Sequence, residues 1–171
     1  MDRYNGILPV NKDPGMTSHD VVNRLRRITG QKKIGHTGTL DPQATGLLLT
    51  CFGRATKLSQ FLTGLDKIYL AEITLGAVSD TFDGNGKIEE KGTVPYLNRV
   101  ELQDLLKRFT GRISQKVPAY SAVKVGGRAL YKQAREGMQT DRPERKVEIK
   151  SIDIISIDTP RLTLRVHCSK K

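Results

Sequence analysis

Apolar residues recur along this chain with two different periods, and the changes of period mark out its elements. Gly6-Ile7-Leu8-Pro9-Val10 reads as a short first strand. Lys12-Asp13-Pro14-Gly15-Met16-Thr17-Ser18 is a turn running into a helix, with Thr17 or Ser18 placed to accept the first helical amides. Val21, Val22, Leu25 and Ile28 follow at helical spacing, Arg24 and Arg27 fall off that stripe, and Gly30 ends the helix. Leu47 to Phe52 is an apolar run fit for a buried strand or a core helix turn. Leu58, Phe61, Leu62 and Leu65 suggest a second short helix with Gly64 near its end.

The period then drops to two. Tyr69, Ala71, Ile73 and Leu75 share one face of a strand over 67–76. Ser79 to Gly92, rich in Asp and Gly, reads as loop. Asn98 and Glu101 resemble a capping box ahead of Leu102, Leu105, Leu106 and Phe109, with Gly111 closing that helix. Val117 to Lys124 is extended, and Arg128 to Gly137 forms a short helix with Leu130 and Ala134 inward. Two strands end the chain, Lys146 to Ile157 and Arg161 to Cys168; in the latter Leu162, Leu164, Val166 and Cys168 alternate with polar residues. Strands and helices mix without the regular alternation of a parallel sheet, which predicts an α+β fold. No repeat, linker or low-complexity tract interrupts it.

At 171 residues the chain suffices for one domain with a core. No apolar run approaches the length that crosses a bilayer, and the N-terminus lacks a basic region followed by an apolar stretch. Cys51 and Cys168 have no metal-type spacing and read as small buried residues in a reducing compartment. These features together predict a cytoplasmic protein. Charge changes the picture more. The net charge is +11, distributed as +5 over residues 1–65, −4 over 66–105 and +10 over 106–171. Two basic regions flanking an acidic one suggest a basic face for a polyanion, with nucleic acid the leading partner.

Candidate chemistry concentrates in Gly35-His36-Thr37-Gly38-Thr39-Leu40-Asp41-Pro42-Gln43-Ala44-Thr45-Gly46. One carboxylate, Asp41, sits among residues chosen for tight backbone geometry. Pro42 fixes the chain after it and holds Asp41 extended. The threonines can bond local backbone. An isolated Asp-Pro is ordinarily a turn or cap residue. A lone acid on a preorganised loop anchored to an apolar run suggests instead a nucleophile or base. His19, His36 and His167 are scattered and form no zinc pattern. No local signature supports a Ser or Cys nucleophile, and the glycines fit neither the Walker nor the dinucleotide pattern. An acid with neither metal nor nucleotide motif fits covalent or general-base chemistry on an organic substrate.

The run Gly-His-Thr-Gly-Thr-Leu-Asp-Pro-x-Ala-Thr-Gly closely resembles the central motif of the TruB-type tRNA pseudouridine synthases. Four further segments are similar to the same family in the same order. They are Lys12 to Asp20; Lys67-Ile68-Tyr69 with Leu75-Gly76 and Asp80-Thr81-Phe82-Asp83; Pro118 to Lys124 with Gly127, Tyr131, Ala134-Arg135 and Gly137; and Arg145 with the strand after it. The resemblance implies the pseudouridine synthase fold, with a mixed, mainly antiparallel sheet, flanking helices and the Asp41 loop in a central basic cleft. It implies an isomerase that converts a T-loop uridine of tRNA (position 55 in tRNA numbering) to pseudouridine without cofactor or metal. Asp41 aligns with the catalytic aspartate, and Tyr69 with a tyrosine that stacks on the target base. His36 aligns with a histidine that helps extrude the nucleotide. Lys12 aligns with a lysine near the active site. Thr37 belongs to the same motif, and Arg54, with Arg24, Arg27, Lys32 and Lys33, is a candidate phosphate contact. Tyr120 and Ser121 belong to a motif bracing the active-site wall. The expected partner is the T-arm stem-loop of tRNA, with no membrane and no obligatory protein partner.

There are departures. The family turn usually reads Lys-Pro-x-Gly; here proline comes one place later. Val117-Pro118 stands for the family's Pro-Pro. Val166-His167-Cys168-Ser169-Lys170 is similar to the start of a segment that continues in the family through Gly-Thr-Tyr-Ile-Arg, whose arginine pairs with the catalytic aspartate. The expectation is a catalytic domain over 1–171, incomplete at its C-terminus, without the family's PUA domain and impaired in turnover. Two rival readings are the catalytic subunit of an RNA-guided pseudouridine synthase, and a non-catalytic tRNA-binding or folding module.

Overall fold

The computed structural model of the chain describes residues 2–170 apart from 82, 85, 95, 122 and 139. Phe82 and Ala122, part of two family-like segments, therefore lie outside the described residues. The chain divides into two compact units, Met1–Leu65 and Asp66–Lys171.

The first unit is built on a three-stranded antiparallel sheet. Its elements are β1 (Gly6–Lys12), α1 (Ser18–Thr29), β2 (Ile34–His36), β3 (Gly46–Phe52), a 3-10 turn (Gly53–Leu58) and α2 (Ser59–Thr63). The strand order is β1-β3-β2. The most apolar strand, β3, takes the centre and buries Leu48, Cys51 and Phe52. Val22 of α1 packs with Ile34 and Phe52, and Leu25 leans on that cluster. Helix α1 starts at a capping box in which Thr17 and Asp20 satisfy each other's backbone amides, and it stops at Gly30 in the left-handed region. Ile28, expected on the buried stripe, is 72% exposed. Arg26 takes the inward place instead: its guanidinium donates to the Lys32 and Ile34 carbonyls, so the returning chain covers Arg26 and leaves Ile28 outside. The expected helix over Leu58 to Leu65 splits into the 3-10 turn and five-residue α2. That short helix buries none of its residues, and Leu58, Phe61 and Leu65 stay exposed.

The second unit contains β4 (Lys67–Thr74), β5 (Ala77–Ser79), β6 (Ile88–Glu90), α3 (Arg99–Lys107), β7 (Gly111–Lys116), β8 (Lys124–Val125), β9 (Arg128–Ala129), α4 (Leu130–Arg135), β10 (Glu144–Asp158) and β11 (Arg161–Cys168). Its main sheet has the order β4-β11-β10-β7, and every strand pair among the described residues is antiparallel. Leu102 of α3 fills the core with Ile154, Leu162 and Leu164, while Arg99 donates to the Ile154 carbonyl at 2.8 Å and pins the helix start. The expected alternation in the last strand holds, with Leu162, Leu164 and Cys168 buried. Three local expectations change. The 79–92 stretch, expected to be loop, contains β6, which pairs with β5. Gly111, at φ 86°, opens β7 rather than closing α3. A tight β8–β9 hairpin precedes α4, turning on Gly126 and Gly127, both at positive φ, a backbone that favours glycine. Asn98 caps α3 through the Val100 amide. No helix among the described residues is long and apolar enough to cross a membrane.

Asp66, just ahead of β4, ties three strands together. Its Oδ2 accepts from Lys150 Nζ on β10 and lies 3.3 Å from His167 Nε2 on β11. The Lys150 hydrogen bond holds the Asp66 carboxyl below its ordinary value, against a smaller desolvation effect, and His167 adds to the lowering. The same contact raises the Lys150 ammonium. A depressed carboxyl stabilises the fold above its unfolded value and loses that contribution as pH falls through the folded one. The stability difference between wild type and Asp66→Asn should therefore be present at about pH 5 and shrink below about pH 4. Urea unfolding across that range measures it. Because the cluster is exposed, added salt should reduce the difference.

Candidate active site

Between β2 and β3 the chain leaves the sheet and returns through residues 37–45. Register fixes both ends. His36 lies opposite Thr50, the Thr37 amide donates to the Leu49 carbonyl at 3.0 Å, and Gly46 re-enters opposite Lys12. Asp41 is the first residue of a β-turn closed by Ala44 N–H donating to the Asp41 carbonyl at 3.0 Å, with Pro42 at the position that favours proline. The Asp41 side chain is exposed, and no hydrogen bond or ion pair among the described residues engages its carboxylate.

The residues on either side of Asp41 are held. The Leu40 amide donates to Ser18 Oγ at 2.9 Å, and that hydroxyl lies 3.4 Å from the Leu40 carbonyl. The Pro42 carbonyl accepts from Gly15 N–H at 2.9 Å and from Lys12 Nζ at 3.0 Å. Lys12 also donates to the carbonyls of Asp13 at 3.0 Å and Met16 at 2.8 Å. Its side chain is 1% exposed. An ammonium has three donors, and here three carbonyls take them. Lys12, which the resemblance sets near the active site, thus lies inside beside the Asp41 loop with its donors spent on backbone. Thr37, of the same motif, is likewise buried, and its backbone continues the pairing with β3.

The remaining site residues are placed as follows. His36 is half-buried on β2, and its Nδ1 is enclosed without a hydrogen-bond partner among the described residues. Arg54 is exposed just after β3, its own amide bonded to Asn5 Oδ1. A seven-residue strand spans about 20 Å, so Arg54 lies at the far end of β3 from the Asp41 loop. Tyr69 belongs to the second unit, on edge strand β4 opposite Val166, 37% exposed. Ser121 Oγ is buried without a partner among the described residues. The first unit thus unites Asp41 with Lys12, and adds two supports that sequence reasoning did not assign to the site, Gly15 and Ser18. A signal for Ser18 was present: once Thr17 and Asp20 form the capping box, the Ser18 hydroxyl is left over.

Removing the Lys12 ammonium takes one shared donor from three carbonyls at a buried side-chain position. Lys12→Met should lower unfolding stability by about 2–4 kcal/mol, the relief of burying a charge offsetting part of the loss. Lys12→Arg should not restore it, because a planar fork cannot point at three converging acceptors. Denaturant midpoints of the three proteins check this.

Comparison with known proteins places this loop in a family. The model of the TruB family pseudouridylate synthase N-terminal domain matches residues 26–171, which include the whole Asp41 loop. The tRNA pseudouridine synthase B of Caldanaerobacter subterraneus subsp. tengcongensis is 50% identical over 167 residues, covering 97% of this chain and 59% of the relative. That of Clostridium kluyveri is 46% identical over 166 residues, covering 97% and 57%. The chain thus spans rather more than half the length of these relatives. Among solved structures, the crystal structure of a Cbf5-Nop10-Gar1 complex superposes with a TM-score of 0.69 at 28% identity, over 96% of this chain and 39% of the matched one. The α+β arrangement of antiparallel sheets and flanking helices described above is accordingly the pseudouridine synthase fold, and the chain belongs to the TruB family of pseudouridylate synthases.

Proposed function

We propose that this chain carries the catalytic aspartate of a tRNA pseudouridine synthase, and that Asp41 is the group that attacks a T-loop uridine. The observation that carries the reading is the Asp41 carboxylate itself. It is exposed and unengaged among the described residues, on a residue whose two neighbours are tied to β1, the turn after it and α1. A nucleophile needs this combination of a fixed backbone and a free head group.

The isomerisation conserves every atom of the substrate. Asp41 attacks the nucleoside, at the ribose C1′ or at the pyrimidine ring. The N1–C1′ bond breaks, the uracil turns, C5 bonds to C1′, the C5 proton is lost, N1 gains a proton, and the carboxylate is released. No electron leaves the substrate, so the chemistry calls for a positioned acid and base and no redox group. Tyr69 is assigned to stacking on the displaced base and His36 to its extrusion. Chemistry on a stacked base requires flipping, and RNA loops are read by stacking side chains. The basic residues of the chain supply attraction to phosphate. The stand-alone reading is preferred to the RNA-guided one because the relatives that are 46–50% identical carry the name tRNA pseudouridine synthase B.

Asp41→Asn keeps the shape of the side chain and removes its nucleophilicity. It should abolish conversion of a T-arm stem-loop under single-turnover conditions and leave the RNA dissociation constant within about twofold. Mass analysis with a pseudouridine-sensitive label reads conversion, and appreciable turnover by the variant would remove Asp41 from this role. Tight binding without any conversion by a chain extended through the Gly-Thr-Tyr-Ile-Arg segment, with or without guide RNA, would favour the binding-module reading. Affinity should fall linearly with salt on a double-logarithmic plot, by a slope of about −0.7 to −0.9 per phosphate contacted. A flat plot would argue against the electrostatic part of this reading.

A further inference from the structure

We infer that Ser18 is a positioning residue for the reaction, acting through the backbone of Leu40 to aim Asp41. The inference rests on the assignment of Asp41 above.

Ser18 stands in the first turn of α1, where a hydroxyl ordinarily serves the helix end. Here the helix does not need it. Thr17 Oγ1 accepts from the Asp20 amide at 3.1 Å, and Asp20 Oδ2 accepts from the Thr17 amide at 2.9 Å, so the cap is complete one residue earlier. Ser18 is nonetheless 2% exposed. A buried hydroxyl is costly unless bonded. Among the described residues both of its contacts go to one place, the amide and carbonyl of Leu40. That residue immediately precedes Asp41.

The loop is therefore suspended from two sides, which differ in kind. On the C-terminal side, Pro42 is held by Lys12 and Gly15, and Lys12 at the same time gathers the turn that leads into α1. Losing that side disturbs the unit as a whole. On the N-terminal side, the Ser18 hydroxyl is the tie to Leu40, and it joins two segments that are otherwise anchored. Losing it leaves the cap, the sheet register and the Lys12 cluster in place, and frees the peptide on one side of Asp41. A backbone turned by a few tens of degrees there displaces the carboxylate by about an ångström. Misplacement of that size is enough to cost about a hundredfold in rate.

The test compares three variants of the full-length protein. Ser18→Ala removes the tie, and Ser18→Thr keeps a hydroxyl. Gln31→Leu is the matched control. It removes another buried polar tie of the same unit, from Gln31 to the amide and carbonyl of Tyr4, which lies outside the loop. Ser18→Ala should lower the single-turnover rate at saturating enzyme by about 10- to 100-fold, with the RNA dissociation constant within about twofold of wild type. Gln31→Leu should lower the melting temperature by a comparable amount or more and leave the rate within about twofold. Ser18→Thr, where it folds, should recover most of the rate. A Ser18→Ala rate within twofold of wild type, beside an inactive Asp41→Asn, would overturn the role of Ser18 and leave that of Asp41 standing. An equal rate loss in Gln31→Leu would also overturn it, by showing a general stability effect. Turnover by Asp41→Asn would remove the premise and the inference together.

Discussion

The first unit is organised around an ammonium group with no carboxylate partner among the described residues. Lys12 lies at the end of β1, and its charge is met by three backbone carbonyls from positions 13, 16 and 42. Carbonyl dipoles satisfy a buried cation without bringing in a counter-charge. Asp41, one residue from Pro42, therefore keeps its carboxylate for other use. Had Lys12 been paired with a nearby acid, that acid would have been fixed and neutralised. The geometry stabilises the loop and leaves its one acid unoccupied.

That interaction explains why strand pairing matters so far from the chemistry. The antiparallel register of β1 with β3 sets Lys12 opposite Gly46, where the loop returns. A shift of one residue would turn the Lys12 side chain to the other face of the sheet. Leu48, Cys51 and Phe52 oppose such a shift because β3 has a buried side to lose. The apolar run after the loop is thus more than a place to anchor it. It specifies which residue of β1 reaches Pro42. In the second unit the same logic of cross-strand ties recurs at the surface, where Asp66 gathers Lys150 and His167 from neighbouring strands.

Much of this was legible in the sequence, and the failures have a common cause. Period-two alternation found β4 and β11, and helical spacing with Gly30 found α1. Asp41 stood out because glycine, proline and threonine around an acid describe a backbone before they describe a function. What alternation could not show was which polar residues turn inward. Ile28 was expected inside and is exposed, while Arg26 reaches the returning chain at Lys32 and Ile34. Lys12 and Thr37, polar residues of the family-like segments, are buried. For Lys12 and Arg26 the partners are main-chain carbonyls, and these leave no trace in side-chain composition. The leucines and phenylalanine of 58–65 failed in the opposite sense: α2 buries none of its residues, and Leu58, Phe61 and Leu65 stay exposed.

The use of carbonyls by Lys12 bears on how this turn tolerates sequence drift. Main-chain oxygens are present whatever the side chain, so the lysine places little demand on the identities of residues 13, 16 and 42 beyond the path of the backbone. Proline stands at position 14 here, where the related turn usually has it directly after the lysine. Asp13 still presents its oxygen to Nζ at 3.0 Å. Substitutions in the Asp13–Met16 turn that preserve the positive φ of Gly15 should then accumulate nearly neutrally. The lysine itself has no equivalent replacement. In variant libraries of this segment, the permissive positions and the invariant one should stand side by side.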